Sequence, residues 1–196
     1  MRYQIAILWV ISLLVAGCGG RSQDDQILTV IREGRGDKLN NPSKKIVRGL
    51  LRDPAAAANV SYVWLTQIDL ADPDWSHLQE LSKLEGLRGF SLFGTQNTDA
   101  FVETIPARDQ LKLLAFYETD LSDAGLSSVA QASQLDELRI DFAGGGISTT
   151  GLSKLVAIPG LKKVHLVSDN KLDDKKLKSL FPKSKVITEY VPSALW

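Results

Sequence analysis

Beyond the apolar N-terminal run, the motif Leu-x-x-φ-x-φ, with φ a large apolar residue, opens five times along this chain, at Leu65, Leu87, Leu111, Leu135 and Leu161. Successive starts lie 22, 24, 24 and 26 residues apart, a period at which a short strand and its return element stack on copies of themselves. Such a unit has an apolar face that only its neighbours can cover, so the period predicts an α/β solenoid with a parallel concave sheet and convex helices. Strand alternation points motif positions 1, 4 and 6 inward. Those positions are Leu65, Ile68 and Leu70; Leu87, Phe90 and Leu92; Leu111, Leu114 and Phe116; Leu135, Leu138 and Ile140; Leu161, Val164 and Leu166. Every one of them is large and apolar.

Each strand is followed by signals for a turn and a helix. In the third unit Leu121 turns inward, Ser122 or Asp123 caps a helix, and Leu126 and Val129 continue the buried face at i, i+3. The fourth unit repeats this with Ile147, Ser148, Leu152 and Leu155, and the fifth with Leu172, Asp173, Leu177 and Leu180. The second unit is degenerate, with Asn97-Thr98-Asp99 at the helix start.

The stretch Thr119-Asp120-Leu121-Ser122-Asp123-Ala124-Gly125-Leu126 and the roughly 24-residue step resemble the cysteine-free relatives of the F-box-type leucine-rich repeat. The resemblance covers about residues 62–187. It implies a leucine-rich repeat solenoid that acts as a contact surface. Two departures stand out. Thr95 and Thr119 occupy the place of the usual asparagine ladder, which predicts turns bonded through hydroxyls, and Gly144-Gly145-Gly146 lengthens the fourth unit.

The N-terminus reads as a targeting segment over residues 1–17. Arg2 supplies a short positive region, Ile5 to Val15 is almost wholly apolar, and Val15-Ala16-Gly17-Cys18 ends the run with small residues. The run is shorter than the about 20 residues that a membrane crossing needs. Its ending resembles the lipobox of bacterial lipoproteins, which implies cleavage before Cys18, lipidation of that residue and a membrane tether. Gly19 in place of an aspartate implies, on the same resemblance, an outer-membrane anchor facing the periplasm. Cys18 is the chain's one cysteine, so an intrachain disulfide and a multi-thiolate metal site are both excluded.

Residues 18–25 are small or polar and suit a tether. Over 26–60 three helices are expected as an N-terminal helical cap on the first coil. The first carries Ile27, Leu28, Val30 and Ile31 behind Asp24 or Asp25; the second starts at Asn41-Pro42; the third starts at Asp53-Pro54. A separate small helical binding module is the rival reading. The repeats then run over 61–187, and 188–196 is the end of a C-terminal edge strand, which begins near Val186, together with an apolar tail.

Strands in register are about 4.8 Å apart, so equal motif positions form columns on the concave face. Phe93, Leu113, Ala115 and Tyr117 make an apolar patch there, flanked by Glu137, Arg139, Asp141, Lys163 and His165. Aromatic anchors rimmed by charge suit a protein contact, and Phe93, Leu113, Tyr117, Arg139 and Asp141 are the candidate binding residues. Ser91 and His165 share a column three strands apart, roughly 14 Å at that spacing, which is too far for a nucleophile and its base. His165 beside nearby acids is the remaining catalytic candidate, and His77 belongs to a capped turn. Two acidic clusters bear on calcium: Asp69, Asp72 and Asp74 lack the glycine and distal glutamate of a calcium loop, and Asp169, Asn170, Asp173 and Asp174 sit where helix caps are expected.

Lysines and arginines balance aspartates and glutamates at 23 each, so no global field favours nucleic acid. Of the eight lysines of residues 162–185, Lys175, Lys176 and Lys178 fall on a convex helix, as a solvated face. No phosphate-cradling glycine motif implies a cofactor. The expected function is therefore a membrane-tethered, non-catalytic module that binds an unidentified protein through its concave face. The alternatives are a structural envelope lipoprotein without a specific ligand and an enzyme using His165.

Overall fold

The computed structural model describes residues 26–31, 60–66, 69–71, 73–141 and 146–191, with the side chains of 26–31, 66 and 73–77 set aside. Seven parallel strands form one sheet whose spatial order is the chain order: β1 Gln26–Ile31, β2 Val60–Thr66, β3 Gly89–Phe93, β4 Leu113–Tyr117, β5 Glu137–Asp141, β6 Lys163–Ser168 and β7 Lys185–Tyr190. From β3 onward a short helix lies between each successive pair of strands: α1 Thr98–Glu103, α2 Asp123–Val129, α3 Thr149–Lys154 and α4 Asp174–Leu180. A 3-10 stretch, Pro73–Lys83, connects β2 to β3. Each strand adds beside the last without a crossover to the other edge. The result is an α/β parallel sheet alternating with helices, a layout compatible with a solenoid.

The inward columns stack as the alternation predicts. Val63, Phe90, Leu114, Leu138 and Val164 are paired strand by strand, and so are Leu65, Leu92, Phe116, Ile140 and Leu166. None of these ten residues exceeds 1% exposure. They join one continuous core with Phe101, Val102, Leu126, Val129, Leu152, Leu155 and Leu177 from the helices. Phe101 of α1 meets Phe90 of β3 edge to face, with ring centroids 6.1 Å apart, an arrangement favoured by the ring quadrupoles.

Two expectations are corrected. Gln26–Ile31 is not a helix of a cap: it is β1, paired in parallel with β2. Its apolar residues fit a helical stripe, but Ile27, Thr29, Val30 and Ile31 are β-branched, and a short run of that kind suits a strand of a parallel sheet equally well. The expected second and third cap helices lie outside the described residues. The first unit also begins five residues earlier than Leu65. Register pairs Val63 with Phe90 and Leu65 with Leu92, so the motif opens at Val60, as Val60-x-x-Val63-x-Leu65. Both frames satisfy the apolar pattern. The β-branched and aromatic run Val60–Thr66 decides between them through its strand preference.

The expected edge strand near Val186 is β7, which closes the described sheet. Among the described residues no helix is long and apolar enough to cross a membrane. The segment 1–25, with Cys18, lies outside the described residues.

Candidate functional site

The strand residues that alternate with the core form the sheet's second face. Its columns run Tyr62, Gly89, Leu113, Glu137, Lys163, Lys185; Trp64, Ser91, Ala115, Arg139, His165, Ile187; and, from β3 to β4, Phe93 beside Tyr117. Trp64 and Phe93 make a small apolar cluster of their own, separate from the main core, with Tyr117 packed against it. Trp64 was missed by sequence reasoning because the slipped frame of the first unit placed Gln67, Asp69 and Ala71 in these columns. Gly89 is required here, since the Tyr62 ring lies where a methyl group on Gly89 would be.

Beside the aromatic cluster lies an ionic network. Arg139 Nε donates to Glu137 Oε1 at 2.5 Å, and Lys163 Nζ donates to the same oxygen at 3.0 Å. Burial alone would raise the Glu137 pKa. The hydrogen bonds and charges of Lys163 and Arg139 outweigh it and hold the carboxyl below the usual range. Burial pushes the Tyr117 phenol up, against the opposing pull of the Arg139 guanidinium. Arg139 is therefore a buried cation held between a carboxylate and a phenol.

The five predicted binding residues are brought together on this face, with unequal access. Phe93, Leu113, Arg139 and Asp141 are 3–6% exposed, and Tyr117 is half-buried. Glu137, Lys163 and His165 are partly exposed around it. Of these residues, Tyr117 and the charged rim reach solvent; Tyr117 packs against Phe93, and Arg139 bonds Glu137.

His165 does not meet Ser91. Register carries Ser91 through Ala115 and Arg139 to His165, three strands away. The imidazole instead approaches Glu189 of β7, Nε2 to Oε1 at 2.9 Å. Burial lowers its pKa, Glu189 partly offsets this, and the Arg139 and Lys163 cations lower it further.

Of the acidic clusters, Asp72 and the Asp74 side chain lie outside the described residues, and the others are engaged within the chain. Asp69 accepts from the Ala71 amide at 3.0 Å and from Asn97 Nδ2 at 2.7 Å. Asp173 caps α4 through the Lys176 amide at 3.1 Å. Asp174 accepts from the Thr188 hydroxyl at 2.6 Å. Among the described residues no group of three or more His, Cys, Asp or Glu side chains is placed to hold a metal ion.

A second set of residues escaped sequence reasoning. The turns on the helix side are fastened mainly by carboxylates from the neighbouring unit. Of the two expected hydroxyls, Thr95 shares a hydrogen bond with the Thr98 hydroxyl at 3.3 Å, and that of Thr119 is buried without a hydrogen-bond partner among the described residues. Asp99 of α1 accepts from both the amide and the hydroxyl of Ser122, the cap of α2. Asp123 of α2 accepts in the same way from Ser148, the cap of α3, at 2.8 and 2.5 Å. Asp120 accepts from the Asn97 and Thr98 amides at 2.7 and 2.9 Å. Those amides open α1, where Asn97 makes no side-chain cap, so Asp120 satisfies donors that a helix start leaves free. Gly125 and Gly151 follow their serines by three residues and leave room for the Asp99 and Asp123 carboxylates, which a methyl group would overlap. The recurrent Ser-x-x-Gly spacing was the available signal.

No protein-family model matches this sequence, and no curated protein is similar to it.

Proposed function

We propose that the chain is a leucine-rich repeat solenoid tethered to a bacterial membrane through lipidated Cys18. It serves in the envelope, at the periplasmic side of the outer membrane, as a non-catalytic module that binds another protein through the second, concave face of its sheet. The tether rests on the Val15-Ala16-Gly17-Cys18 ending described above. The observation that supports the binding reading best is the segregation of Trp64, Phe93 and Tyr117 from the main core, beside the Arg139–Glu137–Lys163 network. The main core stands without these aromatic residues. A rigid aromatic with a charged surround is the composition of an interface anchor.

Tyr117, Lys163 and His165 would touch the partner, while Phe93, Leu113, Arg139 and Asp141 fix their positions. In a pull-down from intact, crosslinked cells, Tyr117→Ala with Lys163→Glu should lose the captured protein, and Lys175→Glu with Lys176→Glu on α4 should retain it. Equal capture by both doubles would reject the face. One observation favours a second reading. The burial of Phe93, Leu113, Arg139 and Asp141 also fits a structural envelope lipoprotein whose face has no ligand. In that case Cys18→Ser alone would produce a cellular phenotype and the face variants none.

A further inference from the structure

The sheet ends on a strand whose outer side is built to pair. β7 has β6 on one side and no described element on the other. Lys185 and Val191 direct their amides to β6, at 2.7 Å to the Lys162 carbonyl and 2.9 Å to the Ser168 carbonyl. In a parallel ladder alternate residues bond to the same neighbour, so the backbone groups of Val186, Thr188 and Tyr190 face away from β6. Edge strands are commonly blunted with proline, bulges, short length or charged residues, lysine above all. Lys185–Tyr190 has six residues, no proline and a regular register with β6. Tyr190 at its end is 58% exposed.

We propose that β7 pairs antiparallel with β7 of a second copy of this chain, about a two-fold axis through Ile187, joining the two sheets edge to edge. The register follows from two independent constraints. Outward backbone groups must meet outward groups, which pairing Val186 with the partner copy's Thr188 satisfies on both sides of the axis. That register also sets Lys185 opposite the other copy's Glu189, twice. Within Lys185–Tyr190 it is the one register that sets the strand's two charged residues opposite each other, and such pairs stabilise an antiparallel ladder. The Glu189 side chain is 49% exposed beside His165, so its carboxylate remains within reach of a second chain. A self-complementary patch of this kind closes into a dimer and does not propagate.

Sedimentation of the full 196-residue chain under reducing conditions, across a concentration series, tests this. Lys185→Glu and Glu189→Lys should each weaken self-association by about tenfold or more, because each places like charges opposite. The double swap should restore it, and an equimolar mixture of the two single variants should form a heterodimer. In a Cys18→Ser background, Ile187→Cys should crosslink to its own copy on oxidation, since the two residues face each other across the axis. Thermal melts of the same variants should show an unchanged fold. A chain that stays monomeric throughout overturns the proposal. So does self-association of equal strength in the unaltered chain and all three charge variants.

Discussion

The two faces of this sheet are built from the same strands by the same alternation, yet they differ in kind. On the helix side, each column repeats one chemistry from β2 to β6, and every member is almost fully buried. On the other side the columns change from aromatic to small to charged across neighbouring strands. A column that must be covered by its neighbours tolerates only apolar residues of similar size. A column facing outward is free of that constraint, so its composition can record something other than the fold. The uniform face encodes architecture, and the uneven face is where a specific role has room.

The sharpest way to break this contrast is in the uniform face. Phe116→Ala should cost about 3–5 kcal/mol, from lost burial and the cavity left behind, read by denaturant unfolding. On the uneven face Glu137→Ala should cost about 3 kcal/mol, because it leaves the buried Arg139 without its carboxylate. Replacing Glu137 and Arg139 together by apolar residues should cost much less. A larger loss for the double replacement would show that the network carries stability in its own right.

Gly151→Ala comes next. In a helix interior this change ordinarily stabilises by about 1 kcal/mol, but here the methyl group meets the Asp123 carboxylate, so the sign should reverse. Adding Asp123→Ala should recover most of the loss, and thermal melts of the two variants and their combination decide it. The smallest expected effect concerns acidity. The His165 pKa is lowered on folding by burial and by Arg139 and Lys163, with Glu189 offsetting in part. The unfolded chain therefore binds more protons, and stability falls as pH drops below about 6.5, the ordinary histidine value. His165→Asn should flatten that part of the stability profile.

Much of the helix side was legible because its signal is redundant. Three apolar motif positions recur through five units at nearly equal spacing, and the capping serines are in their expected places. The first unit was misread because Leu65-x-x-Ile68-x-Leu70 and Val60-x-x-Val63-x-Leu65 satisfy the same pattern, and only strand preference separates them. β1 was misread for a related reason, since six residues are too few for periodicity to distinguish strand from helix. On the second face the positions of Phe93, Leu113, Tyr117, Arg139 and Asp141 were legible from register, and their burial was not. Exposure depends on side-chain packing such as that of Trp64 on Phe93 and of the Tyr62 ring over Gly89, which strand register does not specify. The Asp–Ser fastening was hidden because its partners lie 23 and 25 residues apart and belong to residue types that turns use for many purposes.

That fastening stops short of the C-terminal coil. The place of Ser148 is taken by Asp173, and the place of Asp123 by Thr149, so the carboxylate-to-serine clasp has no counterpart between α3 and α4. Like a zip with its last tooth missing, the molecule should fray from that end, and amides of α4 should exchange with solvent sooner than those of α2.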